Sequence, residues 1–130
     1  MDSILRGLRD DSAAKRYATI EMIETNNLVP EYLPFLRQAL LRDQDQTVVI
    51  RAIGAISRLL AGTRDGEWAK CFTQAVLRFG PVYSGTVEAY DDALLRLCWK
   101  FSGVDLVRMS LEERAVKLSE AKITLGLVAV

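Results

Sequence analysis

Arginine is the residue type through which this chain is best equipped to bind another molecule. The sequence contains 12 arginines and 5 lysines, and a guanidinium group holds a phosphate or a carboxylate through two parallel hydrogen bonds. Arg51 and Arg58 are seven residues apart, which places them on one face of a helix. Arg37 and Arg42 precede them in the same segment. These four side chains form a candidate basic ridge for a partner molecule.

Acidic residues accompany the ridge and limit what it could bind. Glu31, Asp43 and Asp45 lie in the same segment, and over the whole chain 17 basic residues balance 17 acidic ones. A chain without net charge has no long-range field that draws it onto nucleic acid or anionic lipid. A dispersed, solvated set of charges is therefore the plainer interpretation of these arginines, ahead of nucleic-acid binding.

The sequence offers little to an enzyme or a metal site. It contains no histidine, which excludes a Ser-His-Asp triad, a Cys-His pair and a histidine-based zinc site. Its glycines never fall at the spacing of a nucleotide-binding loop. Asp, Tyr and Lys can act alone, so an enzymatic function is left without support rather than ruled out. We predict no catalytic residue, no metal and no cofactor.

The two cysteines are expected to be reduced core residues. Cys71 and Cys98 are too far apart in the sequence to form a metal-binding motif. Both fall in apolar helical patterns, and unpaired cysteine is among the most buried residue types. Reduced thiols favour a cytoplasmic setting.

Two pairs of adjacent carboxylates, Asp91–Asp92 and Glu112–Glu113, are the remaining acidic candidates. Neighbouring side chains on a helix point about 100° apart. Neither pair therefore converges on one metal ion or one sugar, and we predict that both are solvated.

Four aromatic residues are the other candidates for a binding surface. Trp68 and Tyr90 recur at helical spacing with apolar residues, which predicts core positions. Trp99 lies beside an apolar stripe and Tyr83 lies in a predicted joint between helices. Because exposed aromatics are favoured anchors in protein interfaces, Trp99 and Tyr83 join the partner-binding candidates, although a core position is the plainer expectation for each.

The elements that must position these residues are helices, and the pair within residues 28–60 is the clearest. Apolar residues recur there in steps of four, three and four, at Val29, Leu33, Leu36 and Leu40, and again at Val49, Ile53, Ile56 and Leu60. That spacing puts each set on one face of a helix and does not fit the alternation of a strand. The polar joint at residues 42–47, with Asp45 or Thr47 as the cap of the second helix, is short enough to make the two helices antiparallel neighbours.

This hairpin resembles one HEAT repeat. The likeness rests on Leu33, Pro34, Leu36, Leu40, Asp43, Asp45, Val48, Ala52, Ala55, Ile56 and Leu59. In that family a proline lies early in the first helix, an Asp-x-Asp pair makes the turn, and Val and Ala face the partner helix. One departure is Val49, which stands where the family usually has arginine; Arg51 follows two residues later. The resemblance implies an all-α fold, a short HEAT-like α-solenoid of antiparallel helix pairs, with an irregular helical bundle as the alternative.

Weaker units flank the central repeat at 28–61 within a single domain, 1–130. Residues 2–26 are interpreted as a truncated first repeat with a short opening helix, since terminal repeats are often atypical. Its turn at Asp10 is matched with the turn at Asp43. The helix that follows is matched with a one-residue change in the loop, through three pairs: Ala14 with Val48, Ala18 with Ala52, and Met22 with Ile56.

Two further elements complete the predicted chain. Residues 65–103 are predicted to form a divergent helical pair joined at 80–85, and 110–130 a terminal helix. With the two repeats before them, they give six or seven helices in all.

The C-terminal segment is apolar on one face and at its end. The predicted face comprises Leu111, Ala115, Leu118, Ala121 and Leu125. An apolar terminus packs on its own core, on a second copy as a homodimer, or on another partner. No apolar run approaches the roughly 18 residues of a membrane span, and the first residues lack the pattern of a secretory signal, so no membrane partner is expected.

The function we expect from these observations is a non-catalytic scaffold that binds another protein through one face of its stacked helices. The second helix of each pair would supply that face. Reversing Arg51 and Arg58 to Glu is predicted to abolish partner binding and to change the melting temperature by only a few degrees. The alternatives are a nucleic-acid binder, as the HEAT-like alkylpurine glycosylases are, a phycobilin lyase-like chromophore chaperone, and a small inhibitor or immunity factor.

Overall fold

Eight α-helices, numbered in chain order, make up the computed structural model, which describes residues 2–79 and 84–129. They are α1 (Ser3–Leu8), α2 (Ala13–Thr25), α3 (Val29–Arg42), α4 (Gln46–Leu59), α5 (Gly66–Leu77), α6 (Ser84–Cys98), α7 (Gly103–Arg108) and α8 (Leu111–Thr124). No strand occurs within the described ranges, and no helix there is long and apolar enough to cross a membrane. The all-α prediction is confirmed, with one helix more than the sequence pattern indicates.

The hairpin expected at residues 28–60 is present as α3 and α4. Leu36 and Leu40 of α3 and Ile53 and Ile56 of α4 are fully buried, as their spacing predicts. At about 25 cal/mol per Å² of apolar surface removed from water, side chains of this size are the main source of the pair's stability.

The turn between α3 and α4 comprises residues 43–45, which is shorter than the predicted joint. Asp45 is the residue that caps α4: its carboxylate accepts the backbone N–H groups of Thr47 at 2.9 Å and Val48 at 3.2 Å. These are two of the first-turn donors that have no partner within a helix. Of the two caps considered from sequence, the structure has Asp45.

The helices stack in two layers. The first layer consists of α1, α3 and α5, each in contact with the next, and the second consists of α2, α4, α6 and α8 in the same way. Within each of the first three pairs the two helices also contact each other. Each pair therefore adds one helix to each layer, which is how an α-solenoid grows. Buried apolar side chains from both layers form the core.

The predicted joint between α5 and α6, at residues 80–85, lies partly outside the described residues. Its last two positions, Ser84 and Gly85, belong to α6. The helix also ends earlier than the apolar stripe indicates, at Cys98, so that Phe101 lies beyond it.

The turns of the first two units have the same geometry. The Asp10 carboxylate accepts the backbone N–H of Ser12 at 2.9 Å, and the Asp43 carboxylate accepts that of Asp45 at 2.9 Å. Ser12 then caps α2 as Asp45 caps α4. The first turn and α2 therefore align with the second turn and α4 at a single constant offset. The one-residue change that the sequence alignment placed in the loop does not occur.

Burial gives the same register. Ile20 and Ile23 of α2 are fully buried, as are their equivalents in α4, Ile53 and Ile56. The α2 positions that the sequence alignment matched to the buried stripe of α4 are exposed instead: Ala14, Ala18 and Met22. That alignment is therefore wrong by one residue.

Arg16 in α2 is therefore equivalent to Val49 in α4. Its guanidinium donates to both carboxylate oxygens of Asp43, at 2.9 and 3.1 Å. It also donates to the backbone carbonyls of Asp10 at 2.8 Å and Asp11 at 3.1 Å. One side chain thus joins the turn of the first unit to the turn of the second.

The additional helix, α7, begins with a capping box. The Ser102 hydroxyl accepts the backbone N–H of Asp105 at 3.1 Å, and the Asp105 carboxylate accepts that of Ser102 at 2.8 Å. This reciprocal pair satisfies two donors that a helix start leaves unpaired.

Only the C-terminal part of the predicted α8 face is buried. Ala121 and Leu125 are 0% and 3% exposed, whereas Leu111 is 85% exposed. Leu127 packs against the core, which is one of the three outcomes considered for the apolar end. The Cys98 thiol lies 3.9 Å from the backbone carbonyl oxygen of Ala121, where α6 meets α8. Burial of this face is therefore confined to the later turns of α8, although Arg114 near its start also contacts α6 through Asp92.

Both cysteines are buried, unpaired thiols, as predicted. Burial raises the pKa of the Cys98 thiol, against the opposing effect of Arg64. A thiol whose pKa is raised is a poor nucleophile at neutral pH, so Cys98 serves packing.

Gly62, two residues beyond Leu60, the C-cap of α4, has a left-handed φ of +78°, and its N–H donates to the carbonyl of Arg96 in α6 at 2.9 Å. We expect Gly62→Ala to lower the free energy of unfolding by about 1 kcal/mol, because an L side chain is strained at this φ and its Cβ would lie 3.0 Å from Lys100 Cγ. Urea denaturation measures the loss. Gly103→Ala is the matched control, since a Cβ there has no atom within 4 Å; equal midpoints for the two variants would contradict the prediction.

Candidate functional site

A groove of about 450 Å³ crosses three successive helices of the second layer. Its lining residues are Tyr17 and Glu21 of α2, Ile50, Arg51, Gly54 and Arg58 of α4, and Ala89, Asp92 and Arg96 of α6. We call this the α2–α4–α6 groove. It contains two of the arginines singled out in the sequence, on the layer predicted to form the inner face.

Gly54 forms the middle of the groove floor. A Cβ at this position would lie 2.9 Å from Nη2 of Arg58. The missing side chain therefore leaves the space in which the Arg58 guanidinium lies back along α4. A glycine within a helix lowers its stability by about 1 kcal/mol relative to alanine, so the space for Arg58 is accompanied by a less stable α4.

Arg51 and Arg58 share a face, as predicted, but they are not a free basic ridge. Glu24 of α2 accepts from Arg51 Nη1 at 2.5 Å, and from Arg58 Nε and Nη2 at 2.5 and 2.8 Å. Burial raises the pKa of Glu24, but hydrogen bonds from Arg58 and Arg51 outweigh it and hold the pKa below its ordinary value. The sequence-based expectation was that changing both arginines to Glu would shift the melting temperature by only a few degrees. That expectation requires side chains without ion-pair partners, and these two arginines have one.

Tyr17 adds an aromatic wall to the groove. The Arg51 guanidinium carbon lies 5.9 Å from the centre of its ring, within the range of a cation–π contact. Tyr17 remains 37% exposed. An accessible tyrosine beside a fixed guanidinium is a combination that protein-binding surfaces favour.

Arg96 is the least compensated charge in the groove. Its guanidinium is half-buried and donates to the hydroxyl of the buried Ser57 at 3.4 Å. Within the described part of the chain, no carboxylate oxygen lies within 4.0 Å of it. Burial is the main reason that the pKa of Arg96 lies below its ordinary value, and the nearby Arg58 lowers it further, against the opposing effects of Asp92 and Glu24.

Asp92 belongs to the groove wall and pairs with α8, contrary to the prediction that the Asp91–Asp92 pair is solvated. Its carboxylate accepts from Arg114 Nη2 at 2.5 Å. Asp91 is half-buried, and burial raises its pKa against the opposing effects of Lys122 and Arg114. Packing of α8 on α6 removes both carboxylates from bulk water, which the spacing within α6 alone does not reveal. The other pair, Glu112–Glu113, is exposed as predicted.

Arg37 and Arg42 do not join Arg51 and Arg58. Both are exposed on α3, in the first layer. Arg37 lines a separate depression with Trp68 of α5, and Arg42 lines another with Leu5 of α1. The four predicted arginines therefore divide between the two layers.

The aromatic candidates are half-buried or lie outside the described residues. Trp99 packs against the core, and Lys117 Nζ lies 4.9 Å from its ring centre, so a side chain of the same molecule already covers it. Trp68 and Tyr90 also pack against the core, as predicted. Tyr83 is outside the described residues.

Four residues of the groove and its ion pairs were missed by sequence reasoning: Tyr17, Glu24, Gly54 and Arg96. Tyr17 and Glu24 lie seven positions apart in α2. The same seven-residue spacing that selected Arg51 and Arg58 could have selected this pair. No sequence pattern indicates that Glu24 neutralises two arginines of the next unit. Among the described residues, no group of three or more Cys, Asp or Glu side chains is placed to hold a metal ion.

Comparison of this chain with protein-family models, with curated proteins and with solved structures gave no match.

Proposed function

We propose that this chain is a non-catalytic, HEAT-like interaction module that binds another protein through the α2–α4–α6 groove. The observation that supports the proposal is the composition of the groove, whose residues come from three successive helix pairs. Such a surface exists only when the pairs are stacked. Stacked-repeat proteins use composite surfaces of this kind to bind their partners.

The chemistry of the groove supports recognition. It combines arginines with an accessible tyrosine, and these two residue types are enriched among the residues that contribute most to protein–protein binding. Arg51 and Tyr17 are held against each other, and Glu24 fixes the Arg51 guanidinium. Side chains that are already ordered lose less entropy when a partner binds.

Blocking the groove floor tests the proposal without weakening the helix. In Gly54→Leu, the new side chain occupies the space above α4, and replacing a helical glycine with leucine favours the helix. Because the new side chain displaces the Arg58 guanidinium, whose Nη2 would lie 2.9 Å from the added Cβ, the gain in helix propensity is offset by a weaker ion pair with Glu24. We expect the variant to fold and to melt a few degrees below the unchanged protein. As a bait in a native lysate of the source organism, it should lose a partner that the unchanged protein retains, with at least a tenfold drop in recovery measured by mass spectrometry.

Gly103→Leu is the matched control for this experiment. It adds the same side chain to an exposed helix start where a Cβ meets no other atom, and it should retain the partner. Equal recovery by both variants would show that the groove is not the binding surface. A partner that disappears after nuclease treatment would favour the nucleic-acid alternative, as would binding that weakens steeply with salt.

The proposed setting is the cytoplasm. Both cysteines are unpaired and buried, and free thiols of this kind are typical of proteins in reducing compartments.

A further inference from the structure

The charges of the α2–α4–α6 groove do not balance. The groove and its direct ion-pair partners contain four guanidinium groups, from Arg51, Arg58, Arg96 and Arg114, and three carboxylates, from Glu21, Glu24 and Asp92. One positive charge remains in excess. Because the whole chain has no net charge, this excess is a local property of the groove.

Arg96 is the guanidinium of this set that has no carboxylate partner among the described residues. Glu24 is occupied by Arg51 and Arg58, and Asp92 by Arg114. Arg96 is left with the Ser57 hydroxyl, at 3.4 Å from Nη1. A guanidinium has five N–H donors, and among the described residues only Nη1 of Arg96 has an acceptor.

The Arg96 guanidinium is partly buried without a carboxylate partner in the described part of the chain. Partial burial removes water from the guanidinium, and no carboxylate of the described residues replaces it. Ser57 holds the group in place through a hydroxyl that itself donates to the Gly54 carbonyl at 3.0 Å. The charge is therefore held at the groove, close to Arg58, without an acid of its own.

We propose that the α2–α4–α6 groove binds an acidic segment of a partner protein, with an Asp or Glu carboxylate of that segment pairing with Arg96. This inference rests on the proposed function, and it adds the chemistry of the partner. A carboxylate matches the planar fork of a guanidinium and supplies the single negative charge that the groove lacks.

A polyanion such as nucleic acid fits the groove less well than an acidic segment does. Glu21 and Asp92 line the groove on either side of α4, and closely spaced phosphates would meet these carboxylates. Like charges brought together at a binding surface disfavour the wrong partner. A peptide with carboxylates separated by neutral residues can reach Arg96 and avoid both.

The test uses a fluorescein-labelled peptide of alternating Glu and Ser, and the same peptide with Gln in place of Glu. Binding is followed by fluorescence anisotropy, and the Nε–Hε signal of Arg96 is followed by NMR. We expect the Glu peptide to bind at least tenfold more tightly than the Gln peptide and to shift the Arg96 signal. Arg96→Gln should weaken Glu-peptide binding about tenfold, the usual scale for losing a charge-assisted hydrogen bond.

Arg108→Gln is the control, because it removes an exposed arginine of α7 outside the groove; it should leave binding unchanged. Arg96→Lys keeps the charge but loses the fork, so intermediate binding is expected, and this variant serves as the test if Arg96→Gln does not fold. Equal binding by the Arg96 and Arg108 variants would overturn the inference, as would tighter, Arg96-dependent binding of single-stranded oligothymidylate.

The two proposals fail in different ways. If Gly54→Leu loses its protein partner while the Glu peptide neither binds nor shifts the Arg96 signal, the groove is a protein-binding surface and the acidic partner is wrong. If Gly54→Leu retains the partner, the proposed function itself fails, whatever the peptide does.

Discussion

Glu24→Lys is expected to lower the free energy of unfolding by about 2 to 4 kcal/mol, since it converts a shared ion-pair partner into a third cation. Glu24 joins α2 to α4 through Arg51 and Arg58, and its side chain is only 20% exposed. Removing one partner of a fully buried pair costs about 3 to 5 kcal/mol. Exposure of Arg58, whose side chain is 44% accessible, reduces that figure, and repulsion between the new lysine and the two arginines adds to it.

Urea denaturation at several pH values measures this loss, with Glu24→Gln beside Glu24→Lys. The folded protein holds the pKa of Glu24 below its ordinary value of 4.5. The stabilisation is therefore complete above about pH 4.5 and disappears as the pH falls through the folded pKa. We expect the difference between the unchanged protein and Glu24→Gln to be constant near neutral pH and to shrink below pH 4.5.

Glu120→Lys is the control for the change in charge. Glu120 is exposed on α8 and makes no ion pair with the described residues, so the same substitution there should cost less than about 0.5 kcal/mol. A Glu24→Lys variant no less stable than Glu120→Lys would show that the ion pairs between α2 and α4 contribute nothing to the fold.

The fold was predictable from the sequence wherever one helix buries one stripe of apolar residues. Ile53 and Ile56 lie three residues apart and are both buried, because helical periodicity alone decides which face of α4 meets the core. The same reasoning failed at Leu111, which is 85% exposed although it shares the helical spacing of the buried Ala121 and Leu125. The spacing of residues within one helix does not indicate which part of it a distant helix will cover.

The candidate site was predictable only in part, for a related reason. Spacing placed Arg51 and Arg58 on one face, and the structure agrees. Their neutralisation by Glu24 depends on the rotation of α2 against α4, which tertiary packing sets. Arg96 escaped notice because it interrupts the apolar stripe of α6 among buried leucines, where a single polar residue looks like an ordinary surface position. Residue spacing within a helix therefore does not show which charged side chains of different helices will pair.

Asp43→Ala is expected to lower the free energy of unfolding by about 2 to 4 kcal/mol, because Asp43 holds the first and second units together. Its side chain is 7% exposed and accepts two hydrogen bonds from Arg16, at 2.9 and 3.1 Å, and one from the Asp45 backbone N–H at 2.9 Å. Its backbone carbonyl accepts from Arg78 at 3.1 Å. Truncation would leave the Arg16 guanidinium, which is 17% exposed, without its carboxylate.

Asp10→Ala is the matched control, because Asp10 makes the same turn hydrogen bond, to Ser12, without an ion pair among the described residues. Loss of a single turn hydrogen bond should cost about 0.5 to 1.5 kcal/mol. Urea denaturation is measured for both variants, for Arg16→Ala, and for the double variant that carries Arg16→Ala and Asp43→Ala. We expect the coupling free energy between Arg16 and Asp43 to be about 1 to 2 kcal/mol. Equal losses from Asp10→Ala and Asp43→Ala, with no coupling to Arg16, would mean that Asp43 shapes its own turn and does not join the two units.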